Sequence, residues 1–314
     1  MTKNKNIKKV AIILGFYNGN KYLLEQINSI VTQTHKNLKI FIFNDKSTEK
    51  ICETNIFSNK KLNSVVSIIN REKNIGFAKN FLFGLKDVGS DFDYYAFSDQ
   101  DDIWENYKIE NSLKKINSFN STKPVLYFSR TAYFSDDGKK KIGSSRNFNK
   151  KKCFKNALVQ NIAGGNTIVM NKEARNLVVK SLISNKYIAH DWWCYQLITA
   201  AGGEIIFDSK KSVRYRQHTS NLIGSNIGLY ERFIRLKKFY SGNFKEWTDI
   251  NVNNLILNRS LITNENLRTL KTFIKSRNSN NILKRLNLYL KSGVFRQNSS
   301  ENIIFLIGIA LKKI

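Results

Sequence analysis

Asp93-Tyr94-Tyr95-Ala96-Phe97-Ser98-Asp99-Gln100-Asp101-Asp102 is the stretch that decides the fold. Its first half is short, aromatic and apolar, which predicts a buried strand, and three carboxylates crowd into the turn that follows. Carboxylates in that position lie on the edge where open α/β sheets bind ligands. Like charges do not all ionise cheaply in a partly desolvated turn, and hard oxygen donors suit Mg²⁺ or Mn²⁺ and the phosphates that accompany them. The same residues also fit a solvated turn whose aspartate caps a helix beginning near Trp104. The turn alone does not choose between these readings.

Upstream, residues 10–16, 22–31, 38–43, 65–69, 77–88 and 94–97 alternate short β-rich runs with amphipathic stretches, the rhythm of βαβ units. In the first helical stretch Leu23, Leu24, Ile27, Ile30 and Val31 recur at helical spacing and leave Glu25, Gln26 and Ser29 outside, as in a crossover helix on a parallel sheet. A nucleotide-binding half is the natural reading, although GxGxxG and GxxxxGK[ST] are both missing. Downstream, strands are expected over 125–128, 166–170, 204–207 and 213–216, helices over 172–182 and 191–201, and a turn at 135–138. These extend the same domain with antiparallel elements. Beyond residue 230 basic amphipathic helices take over at 230–239, 254–261, 267–274 and 282–290. The expected division is an α/β domain over 1–228 and a helical region over 229–314.

A chain of 314 residues with 41% hydrophobic content can bury a substantial core. Cys52, Cys153 and Cys194 have no CxxC spacing and leave an odd thiol, against both structural zinc and a secreted disulfide framework, so a cytoplasmic setting is expected. Lys3, Lys5, Lys8 and Lys9 before the apolar run 10–14 imitate a signal peptide, but the run is short and reads as a first strand. The apolar run 303–311 falls well below the roughly 20 residues that span a bilayer. A formal charge of +28 admits nucleic acid, an anionic membrane face or a phosphate-rich substrate, and Lys- and Asn-rich composition also follows from genome base bias. The basic helices suit the inner face of the cytoplasmic membrane, with 303–311 inserting shallowly, or a subdomain that packs its stripes internally or against a twin subunit in a homodimer.

Three further turns fall on the edge of the acidic cluster: Gly15-Phe16-Tyr17-Asn18-Gly19, Asn44-Asp45-Lys46-Ser47 and Asn74-Ile75-Gly76-Phe77. Asp45 suits a nucleobase N–H or ribose hydroxyls, Tyr17 suits the flank of a base, and small residues let backbone approach a ligand. Each is also ordinary turn chemistry.

With these motifs in order, the chain resembles the family 2 glycosyltransferases over roughly residues 8–224, through 10–19, 44–49, 74–80, 98–104, 163–166, 190–193 and 215–221. Asp99-Gln100-Asp101-Asp102-Ile103-Trp104 and Tyr215-Arg216-Gln217-His218 are similar to elements of the bacterial polysaccharide branch that includes rhamnosyltransferases. The resemblance implies a GT-A fold, an α/β Rossmann-like mixed sheet flanked by helices. It also implies a nucleotide-diphosphate sugar donor, Mg²⁺ or Mn²⁺, and inversion at the anomeric carbon. It sets Asp99 near the ribose and Asp101 on the metal, leaving Asp102 as a second ligand or a turn cap. His218 is expected to close over the diphosphate or ligate the metal, and Arg216 to assist the phosphates. Phe16, Tyr17, Asn18, Asp45, Asn74 and Gly76 complete the donor side. Asp191 matches the catalytic base, which would take a proton from an acceptor hydroxyl, and it also fits a helix N-cap. Gly164, Gly165, Asn166, His190 and Trp192 are expected on the acceptor side. His190 stands where many relatives carry Glu or Asp, and Asn44–Glu49 depart from the common Asp-Asp-Gly-Ser-x-Asp pattern.

The implied activity is metal-dependent inverting transfer of one sugar, with rhamnose the candidate, from a dTDP- or UDP-sugar to a lipid-linked cell-surface glycan. A sugar-1-phosphate nucleotidyltransferase would need a basic glycine-rich loop that 15–19 lack. A non-catalytic nucleic-acid-binding protein would rest on the charge alone, with no recognition signature beside it, so nucleic acid is not the expected partner.

Overall fold

Four apolar runs form the parallel half of the sheet: Val10–Phe16 (β1), Leu38–Asn44 (β2), Val66–Asn70 (β3) and Tyr94–Ser98 (β4), in the order β3-β2-β1-β4. The computed structural model describes residues 7–51, 56, 60–119, 122–218 and 242–314. Asn20–Val31 (α1), Lys60–Val65 (α2) and Phe77–Asp87 (α3) lie between these strands in the chain. Leu23, Ile27, Ile30 and Val31 of α1 face the core as expected, but Gln26 and Ser29 are buried too. Both are satisfied: the Gln26 amide lies 2.6 Å from the Ser98 hydroxyl, and Ser29 Oγ accepts the Trp104 N–H at 3.0 Å.

Beyond β4 the sheet, nine-stranded among the described residues, turns mixed through Val169–Asn171 (β8), Val125–Phe134 (β6), Glu204–Arg216 (β9) and Ile103–Trp104 (β5), in that order. β8 is antiparallel to both β4 and β6. β9 runs parallel to β6, β5 is antiparallel to β9, and Lys141–Ser144 (β7) pairs with β6. Lys108–Asn117 (α4), Phe154–Ala157 (α5), Lys172–Lys180 (α6) and His190–Ala200 (α7) accompany it.

Three local expectations need correction. No helix begins at Trp104: Ile103 and Trp104 pair with Arg214 and Val213, burying the indole, and the helix waits until Lys108. The expected strand over 166–170 starts only at Val169, because the Thr167 N–H and hydroxyl both bond the Gly164 carbonyl and close a 3₁₀ turn over Gly165–Thr167. Strands 204–207 and 213–216 are one. Asp208, the polar residue that interrupts the pattern, is buried and accepts from the Tyr127 hydroxyl at 2.9 Å and the Lys210 N–H at 3.0 Å, with Lys115 3.0 Å away. The register against β6 shifts at Ser129–Thr131.

The expected helix 254–261 is corrected: Asn243–Leu257 (α8) starts earlier and ends at Leu257, and a 3₁₀ turn follows over Arg259–Leu261. Asn264–Asn278 (α9) and Ile282–Ser292 (α10) realise the expected helices 267–274 and 282–290 with wider bounds, and a further helix, Ser299–Ala310 (α11), carries most of the apolar run 303–311. Leu255, Leu270, Phe273, Phe305 and Ile309 join one apolar cluster with Phe154, Trp193 and Ile198, so these stripes do pack internally. The expected helix at 230–239 and the division at 228/229 lie outside the described residues. Among the described residues no helix is long and apolar enough to cross a membrane.

The joint between α7 and β9 is tight. Gly202 has a φ of 76°, and a Cβ on Gly203 would stand 2.6 Å from the Pro124 carbonyl and 2.9 Å from that of Ile198. Backbone on both sides leaves little room to yield, so Gly203→Ala is expected to destabilise by about 1–3 kcal/mol. Thermal unfolding against wild type checks this, and an unchanged midpoint contradicts it.

Candidate active site

The carboxyl ends of β1, β2 and β4 are tied together before any ligand is considered. Gln100 does much of this: its Oε1 accepts the Tyr17 N–H at 2.8 Å and its Nε2 donates to the Tyr17 carbonyl at 3.1 Å. A methyl group on Gly19 would overlap that amide, which explains the glycine. Asn18, at φ 47°, accepts from the Thr48 and Glu49 N–H groups through Oδ1 and joins β1 to the loop after β2. Asp45 is buried. Its two oxygens accept the Ile75 and Gly76 N–H groups at 2.8 and 2.9 Å, while the Asn74 amide donates to the Asp45 carbonyl at 3.0 Å. Asp45 thus builds the Asn74–Gly76 loop, where Gly76 takes a φ of 83°. The Phe16 ring is in the core, whereas Tyr17 is exposed on the edge.

The three carboxylates after β4 have three different environments. Asp99 is half-buried, and burial, reinforced by the charges of Asp101 and Asp191, holds its carboxyl up at about 7. Asp101 Oδ2 lies 2.8 Å from His218 Nε2. Asp102 is fully buried, and its Oδ2 accepts from Asn166 Nδ2 at 2.7 Å, which accounts for this residue as an anchor. Burial, then the charges of Asp101 and Asp99, push its carboxyl well above the usual range. Behind it the buried Lys108 ammonium sits 3.3 Å from the centre of the Trp104 ring, and burial holds that group well below the ordinary lysine range.

His218 stacks on Tyr22 with ring centres 5.2 Å apart. Arg216 is buried over the same ring and donates to the Asp101 carbonyl at 3.1 Å, the Asp136 carbonyl at 2.6 Å and Glu25 at 2.5 Å. Its guanidinium thus holds the acidic turn in place. Tyr22, Glu25, Gln100 and Asp136 were missed from sequence. Gln100 alone carried a signal, as the spacer inside the acidic motif.

Asp191 stands in the first turn of α7, where the helix dipole favours negative charge. Its Oδ2 accepts the Gly165 N–H at 3.1 Å and its Oδ1 accepts the Trp192 N–H at 2.7 Å. Asp191 is near enough to Asp99 to raise that group's affinity for a proton. His190 is stacked 4.1 Å from Phe81 and edge-on to Phe97, with neither ring nitrogen hydrogen-bonded and Nε2 turned against Gly165. Burial holds it down at about 4, so it is a neutral imidazole. Trp192 and Trp193 both pack inward, donating to the Ala157 carbonyl and the Ser181 hydroxyl, so neither indole offers an open face to a sugar ring. Asn166 is likewise buried and occupied by Asp102, and Gly164 and Gly165 form the turn beside Asp191.

Among the described residues no group of three or more His, Cys, Asp or Glu is arranged to hold a metal ion. The Asp101 and His218 pair nevertheless fits one chemically. A carboxylate and an imidazole suit Mn²⁺, and Mg²⁺ commonly takes one or two carboxylates, with phosphate oxygens and water completing the shell.

Comparison with known proteins gives the class. The model of glycosyl transferase family 2 matches residues 11–175. The dTDP-rhamnosyl transferase RfbG of Shigella flexneri is 33% identical over 231 residues, 70% of this chain and 76% of that protein. The glycosyltransferase GlyA of Streptococcus pneumoniae is 32% identical over 135 residues, but the match covers only 18% of its length. S. aureus TarS 1–349 in complex with UDP superposes with a TM-score of 0.53 at 14% identity, covering 97% of this chain and 88% of that one. The mannosyltransferase PcManGT of Pyrobaculum calidifontis, in complex with GDP-Man and Mn²⁺, gives 0.52 at 13%, covering 98% and 88%. The chain therefore belongs to glycosyl transferase family 2, and its α/β fold is GT-A. It is a glycosyltransferase, which sets aside the nucleotidyltransferase and the nucleic-acid binder.

The His190 environment fixes a pH dependence. A folded value near 4 against about 6.5 unfolded means the unfolded chain binds the extra proton between these limits, so His190 adds stability above pH 6.5 that is lost on acidification toward pH 4. The span is at most about 3 kcal/mol. His190→Asn is expected to flatten this part of the stability–pH curve measured by urea unfolding; a slope identical to wild type contradicts the assignment.

Proposed function

We propose that this glycosyltransferase moves one sugar, with rhamnose the candidate, from a dTDP- or UDP-sugar to a hydroxyl of a lipid-linked cell-surface glycan, with inversion and with Asp191 as general base. The observation that carries this reading is Asp191 at the start of α7, oriented by the Gly165 N–H and within electrostatic reach of Asp99 at the end of β4. The 33% identity to a dTDP-rhamnosyl transferase supports the choice of donor.

In this mechanism the acceptor oxygen attacks C1 of the donor sugar from the face opposite the nucleotide. Its proton passes to an Asp191 carboxylate oxygen, and the bond between C1 and the β-phosphate oxygen breaks, its electron pair leaving with the nucleoside diphosphate. One displacement inverts the centre. The backbone N–H groups of Gly165 and Trp192 fix the Asp191 carboxylate, so its remaining lone pairs are aimed before the acceptor arrives. Asp101 and His218 would hold Mg²⁺ or Mn²⁺, which when bound offsets negative charge on the departing diphosphate. Tyr17, Asn18, Asp99 and the Asp45-supported Asn74–Gly76 loop form the donor edge, with Arg216 bracing it, and Gly164, Gly165 and His190 border the acceptor.

Asp191→Asn is expected to bind dTDP with near-native affinity by calorimetry yet lose transfer by about 10³-fold or more, while Asp101→Ala should lose metal-dependent nucleotide binding as well. Full turnover by Asp191→Asn on the natural acceptor removes it as the base.

A lipid-linked acceptor accords with the outer face of α10 and α11. Leu283, Leu290, Ile303 and Leu311 are 75, 67, 62 and 56% exposed, with the exposed Lys284, Lys291, Lys312 and Lys313 beside them. Glu301, the only acidic residue in 282–314, is ion-paired with Arg146 and Arg296. Exposed apolar side chains with exposed lysines next to them in the chain match an anionic bilayer at the inner face of the cytoplasmic membrane. The full chain should sediment with phosphatidylglycerol vesicles but not with pure phosphatidylcholine, and Leu283→Glu/Leu290→Glu should cut that binding about tenfold or more. Undiminished binding by the variant, or a wild-type dimer in solution that the variant abolishes, overturns this assignment of the face.

A further inference from the structure

Asp102 and Asn166 are both buried, and they join the donor and acceptor sides of the proposed site. Asp102 is covalently next to Asp101 on the donor side. Asn166 is covalently next to Gly165, whose N–H holds Asp191 at 3.1 Å. A single hydrogen bond, Asn166 Nδ2 to Asp102 Oδ2 at 2.7 Å, closes the gap. The path from Asp101 to Asp191 therefore runs through two hydrogen bonds and two adjacent residue pairs. Within the Gly165–Thr167 turn Asp191 accepts the N–H of the first residue and Asp102 accepts the side-chain amide of the second.

We propose that Asp102 and Asn166 are a positioning pair that sets the separation of the donor-side Asp101 from the Asp191 base. Resting on the transfer reading above, it assigns neither residue to the substrate. Displacement at C1 tolerates little error in the placement of base and donor, so a loose Gly165–Thr167 turn costs turnover more than binding. The bond lies in a desolvated position, where it is stronger than at the surface and where losing one partner is most costly. A pair that served only to satisfy buried polar atoms would alter stability and leave the ratio of turnover to donor affinity unchanged.

Asn166→Ala removes the donor, Asp102→Asn keeps an accepting oxygen, and Asp102→Asn/Asn166→Asp reverses the polarity of the same bond. The Ala variant is expected to lose about 100-fold in kcat with the donor KM within about threefold of wild type, and the reversed pair to return within about tenfold. Amide hydrogen exchange of Gly165, read without turnover, should accelerate about tenfold or more in Asn166→Ala and stay near wild type in Asp102→Asn and in the reversed pair. A folded Asn166→Ala enzyme with near-native kcat overturns the proposal, as does a folded reversed pair no more active than Asn166→Ala. Unchanged Gly165 exchange in Asn166→Ala overturns it too. Should Asn166→Ala fail to fold, the reversed pair decides by the same kcat and exchange measurements against wild type. If wild type itself transfers no sugar from any dTDP or UDP donor, the transfer reading fails, and Gly165 exchange alone decides the pair.

Discussion

Desolvation of the acidic turn after β4 is the constraint around which this molecule is arranged. Carboxylates withdrawn from water must be neutralised, hydrogen-bonded or paired, each at a cost of several kcal/mol otherwise. Consecutive residues answer this demand in part by reaching in different directions, Asp102 through Oδ2 alone while its buried Oδ1 has no hydrogen-bond partner among the described residues. Gln100 bonds the backbone of Tyr17 on β1, Asp101 faces His218 beyond β9, and Asp102 takes the Asn166 amide ahead of β8. Arg216 grips the Asp101 carbonyl from behind. Satisfying one short turn thereby draws four separate parts of the chain to a single place.

Topology makes those encounters possible. Because β8 runs antiparallel to β4, the chain enters β8 at the carboxyl edge of β4, and Gly165–Thr167 arrives beside residues 99–102 without any long excursion. A further parallel strand would have presented its carboxyl end there and placed the turn that leads into it at the opposite edge of the sheet. α7 starts near this turn, so its first-turn aspartate and the turn's N–H meet directly. The parallel half supplies one edge of the proposed site, and the reversed strand β8 brings the Gly165–Thr167 turn to its other side.

The parallel half was legible because apolar alternation and helical spacing report directly on which residues face a core. Asp101 and His218 were legible as a pair through motif order, and they do meet. What local pattern could not carry was the long-range partnership of polar groups. Gln26 and Ser29 look solvent-facing on a helical wheel, and only Ser98 and Trp104 make their burial tolerable. Asp45 advertises a ligand contact, but its carboxylate is given to the N–H groups of Ile75 and Gly76 thirty residues away. Trp192 beside Asp191 suggests a stacking platform, yet an indole N–H bonded to the Ala157 carbonyl turns it inward. In each case burial reversed the reading, and burial is a property of the whole fold.

His190 follows the same electrostatic logic. An acidic residue in place of His190 would stand beside Asp191 and near Asp99, whose carboxyl is already lifted to about 7 by burial and then by the charges of Asp101 and Asp191. A further carboxylate there would raise the cost of ionising every member of the group. The imidazole, held neutral by burial against Phe81 and Phe97, adds no charge and packs as an aromatic ring. Negative charge here thereby stays on the turn after β4 and on Asp191, which remains free of an anionic neighbour on its own helix turn.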